Sequence, residues 1–111
     1  MDAVNRNIHL LLNAIQKSDV YRTYKQQEAI LEKDPELAER VQHFRADNFR
    51  LQTEERGNLL QDAEQLAHES AELRRNPEVN AYLDAELALC RMMQQICKTL
   101  TDGIEIKIPE I

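Results

Sequence analysis

Cys90 and Cys97 have the richest potential chemistry in this sequence, because thiolates ligate zinc and iron–sulfur clusters and pair as disulfides. Their spacing argues against a local site. Seven residues along a helix separate them by about 10 Å on one face, too far for an intramolecular disulfide and unlike the close spacing of zinc knuckles. Nothing nearby supplies further ligands. Two free thiols packed in an apolar seam are therefore expected. The alternative is that they meet cysteines of other chains around a shared metal or iron–sulfur cluster. Glu39 with His43, and Glu64 with His68, are each four apart and so share a helix face. Dimetal sites in bundles use Glu-x-x-His with additional glutamates, so surface Glu–His pairs are the reading here. Ser18 and Ser70 are the only serines, and the chain has no nucleophile elbow, glycine-rich phosphate loop or HExxH. No enzyme, no catalytic residue and no resident cofactor follow from these residues.

The elements that hold them are helices by composition. Two glycines and three prolines in 111 residues, with 31% charged and 42% hydrophobic, suit charged helices better than sheets or disorder. The length fits one domain. Aromatics are 5% and Trp is absent, so a lone chain has mainly Leu, Ile, Val and Ala to bury and its core should be thin. Twenty acidic against 14 basic residues, a formal charge of -6, disfavour phosphate-backbone binding. Arg40, Arg45, Arg50 and Arg56 are scattered among glutamates and form no basic stripe. No run of about 18 apolar residues occurs, and "MDAVNRN" lacks the basic-then-apolar order of a secretory signal. A cytoplasmic protein with no membrane partner is expected.

In "NIHLLLNAI", Ile8, Leu11, Leu12 and Ile15 fall at i, i+3, i+4 and i+7, which predicts an amphipathic helix over about 3–17. Ser18 is placed to cap a second helix, about 19–33, carrying Tyr21, Tyr24 and Leu31 on one side. "KDPEL" and "RNPEV" then repeat one signal. Asp34 or Asn76 offers an oxygen to free backbone N–H groups, Pro35 or Pro77 has the φ of a first helical residue, and Glu36 or Glu78 complements the helix dipole. Each motif also ends the preceding helix. Between them the pattern predicts one helix over about 35–75, roughly 60 Å long, with an irregularity at Gly57 that marks a kink, a close helix approach or simply a tolerated surface glycine.

The last helix, about 77–102, carries Val79, Leu83, Glu86, Cys90, Met93, Cys97 and Leu100 at alternating intervals of four and three, a heptad seam. Gly103 is placed as its C-terminal cap, and residues 104–111 alternate Ile104, Ile106 and Ile108 as an extended tail would. The expected architecture is all-α: a single domain over 1–103, built on a long antiparallel hairpin with the N-terminal helices packed back on it. Folded back at Asn76, the last helix reaches only to about Arg50. That leaves Leu37, Val41, Phe44 and Phe49 uncovered, so they are the candidate oligomer interface, most simply of a two-fold dimer.

The succession "AIQKSDVYRTYKQQEAILEKDPEL", then Phe44–Arg45, then "NPEVNAYLDAE" resembles the YlbF/YmcA family of small helical bacterial regulators over nearly the whole chain. The resemblance implies a cytosolic protein of long antiparallel helices that forms homo- or hetero-oligomers. It also implies a regulatory or adaptor role, since relatives are linked to competence, sporulation, biofilm formation and ribonuclease Y-dependent RNA maturation. Some relatives work in a complex that carries iron–sulfur clusters on cysteines near a C-terminal extension. The closing "IKIPEI" is not cysteine-rich, which favours the short, YheA-like branch and transfers no ligand role to Cys90 or Cys97.

Overall fold

A computed structural model of the chain describes residues 2–53 and 59–104. Its regular elements are all helices: α1 (Ala3–Lys17), α2 (Asp19–Leu31), α3 (Pro35–Thr53), α4 (Leu59–Leu73) and α5 (Pro77–Ile104). The starts are set by side-chain oxygens that take up orphan backbone donors. Asp2 Oδ1 accepts from Asn5 N at 2.7 Å, and Asp34 Oδ1 from Leu37 N at 3.2 Å. Asn76 Oδ1 accepts from Glu78 N at 2.9 Å. Ser18 acts on both sides of a bend: its hydroxyl donates to Ile15 O at 2.6 Å and accepts from Tyr21 N at 3.2 Å. With ψ at 152° it is extended, so α1 stops there and α2 begins afresh. Arg22 steadies the bend by donating to Lys17 O through Nε and Nη2 at 3.2 and 3.0 Å.

The span from Pro35 to Arg75 is not one rod. Arg40, in the second turn of α3, approaches Glu69 at 3.9 Å and Glu72 at 3.3 Å near the end of α4. In a straight helix these residues would be more than about 40 Å apart. The antiparallel hairpin is therefore α3 with α4, and α5 packs chiefly on α2. The physical reason is coverage: the narrow stripe of Leu37, Val41 and Phe44 and that of Leu66 and Leu73 bury each other only if the chain doubles back. Gly57 lies outside the described residues. Two boundaries also move. Helix α2 ends at Leu31, short of residue 33, and α5 runs through Gly103 to Ile104, so Gly103 is a helical residue and no cap. The rest of the expected tail, from residue 105, lies outside the described residues.

The core gathers beside the two proline motifs. Leu31 from α2, Val41 and Phe44 from α3, Leu73 from α4, and Val79, Tyr82 and Leu83 from α5 form one buried cluster, flanked by Tyr24, Leu37, Ala38 and Leu66. Helix α1 contributes no buried residue. The molecule measures 46 × 35 × 19 Å, and its smallest dimension is about two helix diameters. Its radius of gyration, 17.3 Å, exceeds the roughly 13 Å of a compact domain this long. Among the described residues, no helix is long and apolar enough to cross a membrane.

Candidate interaction surface

The polar side chains that converge most closely surround Tyr82. Its ring is buried, and its hydroxyl accepts from Arg45 Nη1 at 2.9 Å while lying 3.4 Å from both Tyr24 Oη and Gln42 Nε2. The Tyr24 and Tyr82 rings are 5.6 Å apart at a 35° tilt, and the Arg45 guanidinium carbon is 5.7 Å from the Tyr82 ring centroid. Arg45 Nε is 3.1 Å from Glu86 Oε2, yet its N–H is misaligned and makes no hydrogen bond, so the pair is held by charge. Burial works against the Arg45 charge, but Glu86 and the two tyrosines outweigh it and hold the guanidinium above its ordinary pKa. Burial, followed by the Tyr82 hydroxyl, pushes the Tyr24 phenol well above its ordinary pKa. The network ties α2, α3 and α5 together. Arg45 stays charged at any physiological pH.

Above it opens a cleft of about 850 Å³ between the α3–α4 hairpin and α5. Phe44, Phe49, Leu66, Leu83, Leu87 and Cys90 supply its apolar lining, and Arg45, Arg74 and Glu86 its charges. Arg74 is itself occupied, donating through Nη1 to Asn80 Oδ1 at 2.7 Å and Asp84 Oδ1 at 2.9 Å.

The interface expected from the sequence is only partly on the surface. Val41 is fully buried and Phe44 nearly so, within the chain's own core, and Leu37 is half-buried against it. Of the four, Phe49 alone is strongly exposed, at 67%. Val41 and Phe44 are thus corrected from interface to core, because α4 covers them. The cysteines move the other way. Cys90 and Cys97, expected to be packed, are both exposed on α5 in the single chain, because the partly covered face of this part of the helix carries Leu89, Met92 and Ile96 instead. His68 lies 3.9 Å from Glu72 and is exposed, and among the described residues no three His, Cys, Asp or Glu side chains cluster as a metal site.

Besides Phe49, the large apolar residues left exposed among the described residues fall on α1 and α5. Val4, Ile8, Leu11 and Leu12 on α1, and Leu87, Met93, Leu100 and Ile104 on α5, are all exposed. The sequence reading identified both faces but assigned the uncovered surface to α3. One signal was present: Glu86 interrupts the α5 seam, and a carboxylate there calls for an internal partner, Arg45, that ends the buried part of the helix.

The family model described as control of the competence regulator ComK, YlbF/YmcA, matches residues 4–105. The chain belongs to the YlbF/YmcA family. A UPF0342 protein of Caldicellulosiruptor bescii is 27% identical over 100 residues, covering 87% of this chain and 84% of that one. Another UPF0342 protein, from Caldicellulosiruptor saccharolyticus, is 24% identical over 104 residues, covering 87% and 83%. No solved structure matches. The description of the YlbF/YmcA family supports a regulatory role for the chain.

Proposed function

We propose that this YlbF/YmcA-family protein is a non-enzymatic, cytoplasmic regulatory adaptor that acts through helix-mediated protein–protein contact. It works as a homo-oligomer, in its simplest form a dimer, or with related regulators, in developmental control or RNA maturation, and needs no resident cofactor. The observation that carries this reading is the pair of exposed apolar strips on α1 and α5. Contiguous apolar surface of that kind on a small protein marks an interaction site. The test is affinity co-purification from the native cell with the full chain and with an Ile8→Glu, Met93→Glu double variant, both positions being solvent-exposed. A defined set of regulatory or RNA-processing proteins should be retained by the first and lost by the second. Recovery of the same set with both would overturn the assignment.

A second reading has one observation in its favour. Because Cys90 and Cys97 are exposed, their thiols are open to ligands from other chains around an iron–sulfur cluster. Iron and sulfide analysis of anaerobically purified complex decides between the readings: stoichiometric iron that vanishes in a Cys90→Ser, Cys97→Ser variant replaces the cofactor-free adaptor with a cluster-binding subunit.

A further inference from the structure

Resting on the adaptor reading, we propose that the cleft between the α3–α4 hairpin and α5 receives a short basic amphipathic helix of a different protein. Shape, backbone chemistry and charge each point to that occupant.

The lining runs from Leu66 to Arg74 on α4, about 12 Å, and from Leu83 to Gln94 on α5, about 16 Å. Those lengths match about two to three turns of a helix. Phe44 and Leu83 line the cleft from the core, and Leu87 stands at its rim, 44% exposed. On α4, Ala67 and Ser70 keep the wall low, so the occupant must supply the bulk, as Leu, Ile or Phe at helical spacing. Every wall is a helix whose backbone hydrogen bonds are internal, and no strand edge is presented among the described residues. An extended peptide would bury unpaired N–H and C=O groups against this lining, whereas a helix satisfies its own.

The charged side chains of the lining are already matched. Arg45 stands 3.1 Å from Glu86, and Arg74 2.9 Å from Asp84. The walls as a whole are not. Segments 35–53, 59–73 and 77–94 together hold four basic and ten acidic side chains, a formal -6, and α4 has no Lys or Arg. Its Glu69 and Glu72 are shared with Arg40, but Asp62 and Glu64 lie to either side of Ala63, which continues the face of Ala67 and Ser70 by one turn. A helix with Lys or Arg on its outer face is therefore drawn in and held at the rim, while an acidic one is repelled.

The probe is a synthetic peptide of about 14 residues, or about four turns, with Leu on one helical face and Lys elsewhere, set against its counterpart with Glu in place of Lys. Calorimetry on the purified full chain should show the Lys peptide binding at low-micromolar concentration and the Glu peptide not binding. Ala67→Trp, which fills the cleft from an exposed position, should weaken binding roughly tenfold with helical circular dichroism unchanged. Ala46→Lys, also exposed in the lining, should weaken it by charge. Saturating peptide should slow alkylation of Cys90, which lines the cleft, and leave that of Cys97 unchanged. No binding of the Lys peptide, equal binding of both peptides, binding untouched by both variants, or protection of Cys97 in place of Cys90 would each overturn the proposal. So would a roughly tenfold gain in peptide affinity in Ile8→Glu, which would make α1 of another copy the occupant. Regulatory partners captured equally by wild type and Ala67→Trp, with no peptide bound, defeat the cleft alone. Peptide bound at the cleft by a chain that captures no partner defeats the adaptor reading alone.

Discussion

Tyr82 is the residue on which three helices depend, because its hydroxyl is the buried end of the Arg45 guanidinium and the neighbour of Tyr24 and Gln42. Removing only that oxygen, in Tyr82→Phe, keeps the packing but takes away the acceptor of a charged donor. The expected loss is about 1–3 kcal/mol in urea unfolding, the usual range for a bond to a charged group. A variant within about 0.3 kcal/mol of wild type would mean that the network is ornamental, since surface changes commonly fall in that range. Tyr24 adds a pH dependence. Its folded pKa lies above the ordinary 10.0, so at alkaline pH the native state holds a proton that the unfolded chain has released. Stability from this group is complete below pH 10 and declines as pH rises beyond it. Tyr24→Phe should remove that part of the decline, read as a flatter run of urea midpoints between pH 9 and pH 11, approximately the titration range of the free phenol.

At the scale of elements, the caps were legible in the sequence because the interaction is local: an Asp or Asn and the N–H groups two or three residues on are neighbours in any helix that starts there. Asp34→Ala removes the oxygen that Leu37 N meets at 3.2 Å, and Asn76→Ala the one that Glu78 N meets at 2.9 Å. Each should cost about 1 kcal/mol and lower the thermal midpoint by roughly 4–8 °C, in calorimetry of variants that remain folded. An unmoved midpoint in both would remove the stabilising role of the repeated Pro motifs. Helix continuity was not legible in the same way. The stretch from Pro35 to Arg75 has helical periodicity on both sides of Gly57, and periodicity is blind to whether two such stretches continue or double back.

At the scale of the whole molecule, one small core holds four helices together. Leu31 sits in it, 2% exposed, and α2 has few other buried anchors. Leu31→Ala should therefore cost about 2–5 kcal/mol and loosen α1 and α2 from α5, giving earlier amide exchange in α2 than in the α3–α4 hairpin. Uniform exchange across all helices in that variant would show that α2 is held by something other than this contact.

The sequence by itself determined the all-α class, the three capped starts at Ser18, Asp34 and Asn76, the amphipathic character of α1 and the family to which the chain belongs. All of these rest on residue types a few positions apart, or on the order of such patterns along the chain. Only the tertiary structure decided which apolar faces meet. Val41 and Phe44 became core because α4 returns to cover them, and Cys90 and Cys97 became surface because the covered face of α5 runs through Tyr82, Ala85, Leu89, Met92 and Ile96. Burial is a property of what lies opposite a residue, and what lies opposite is set by where distant segments turn.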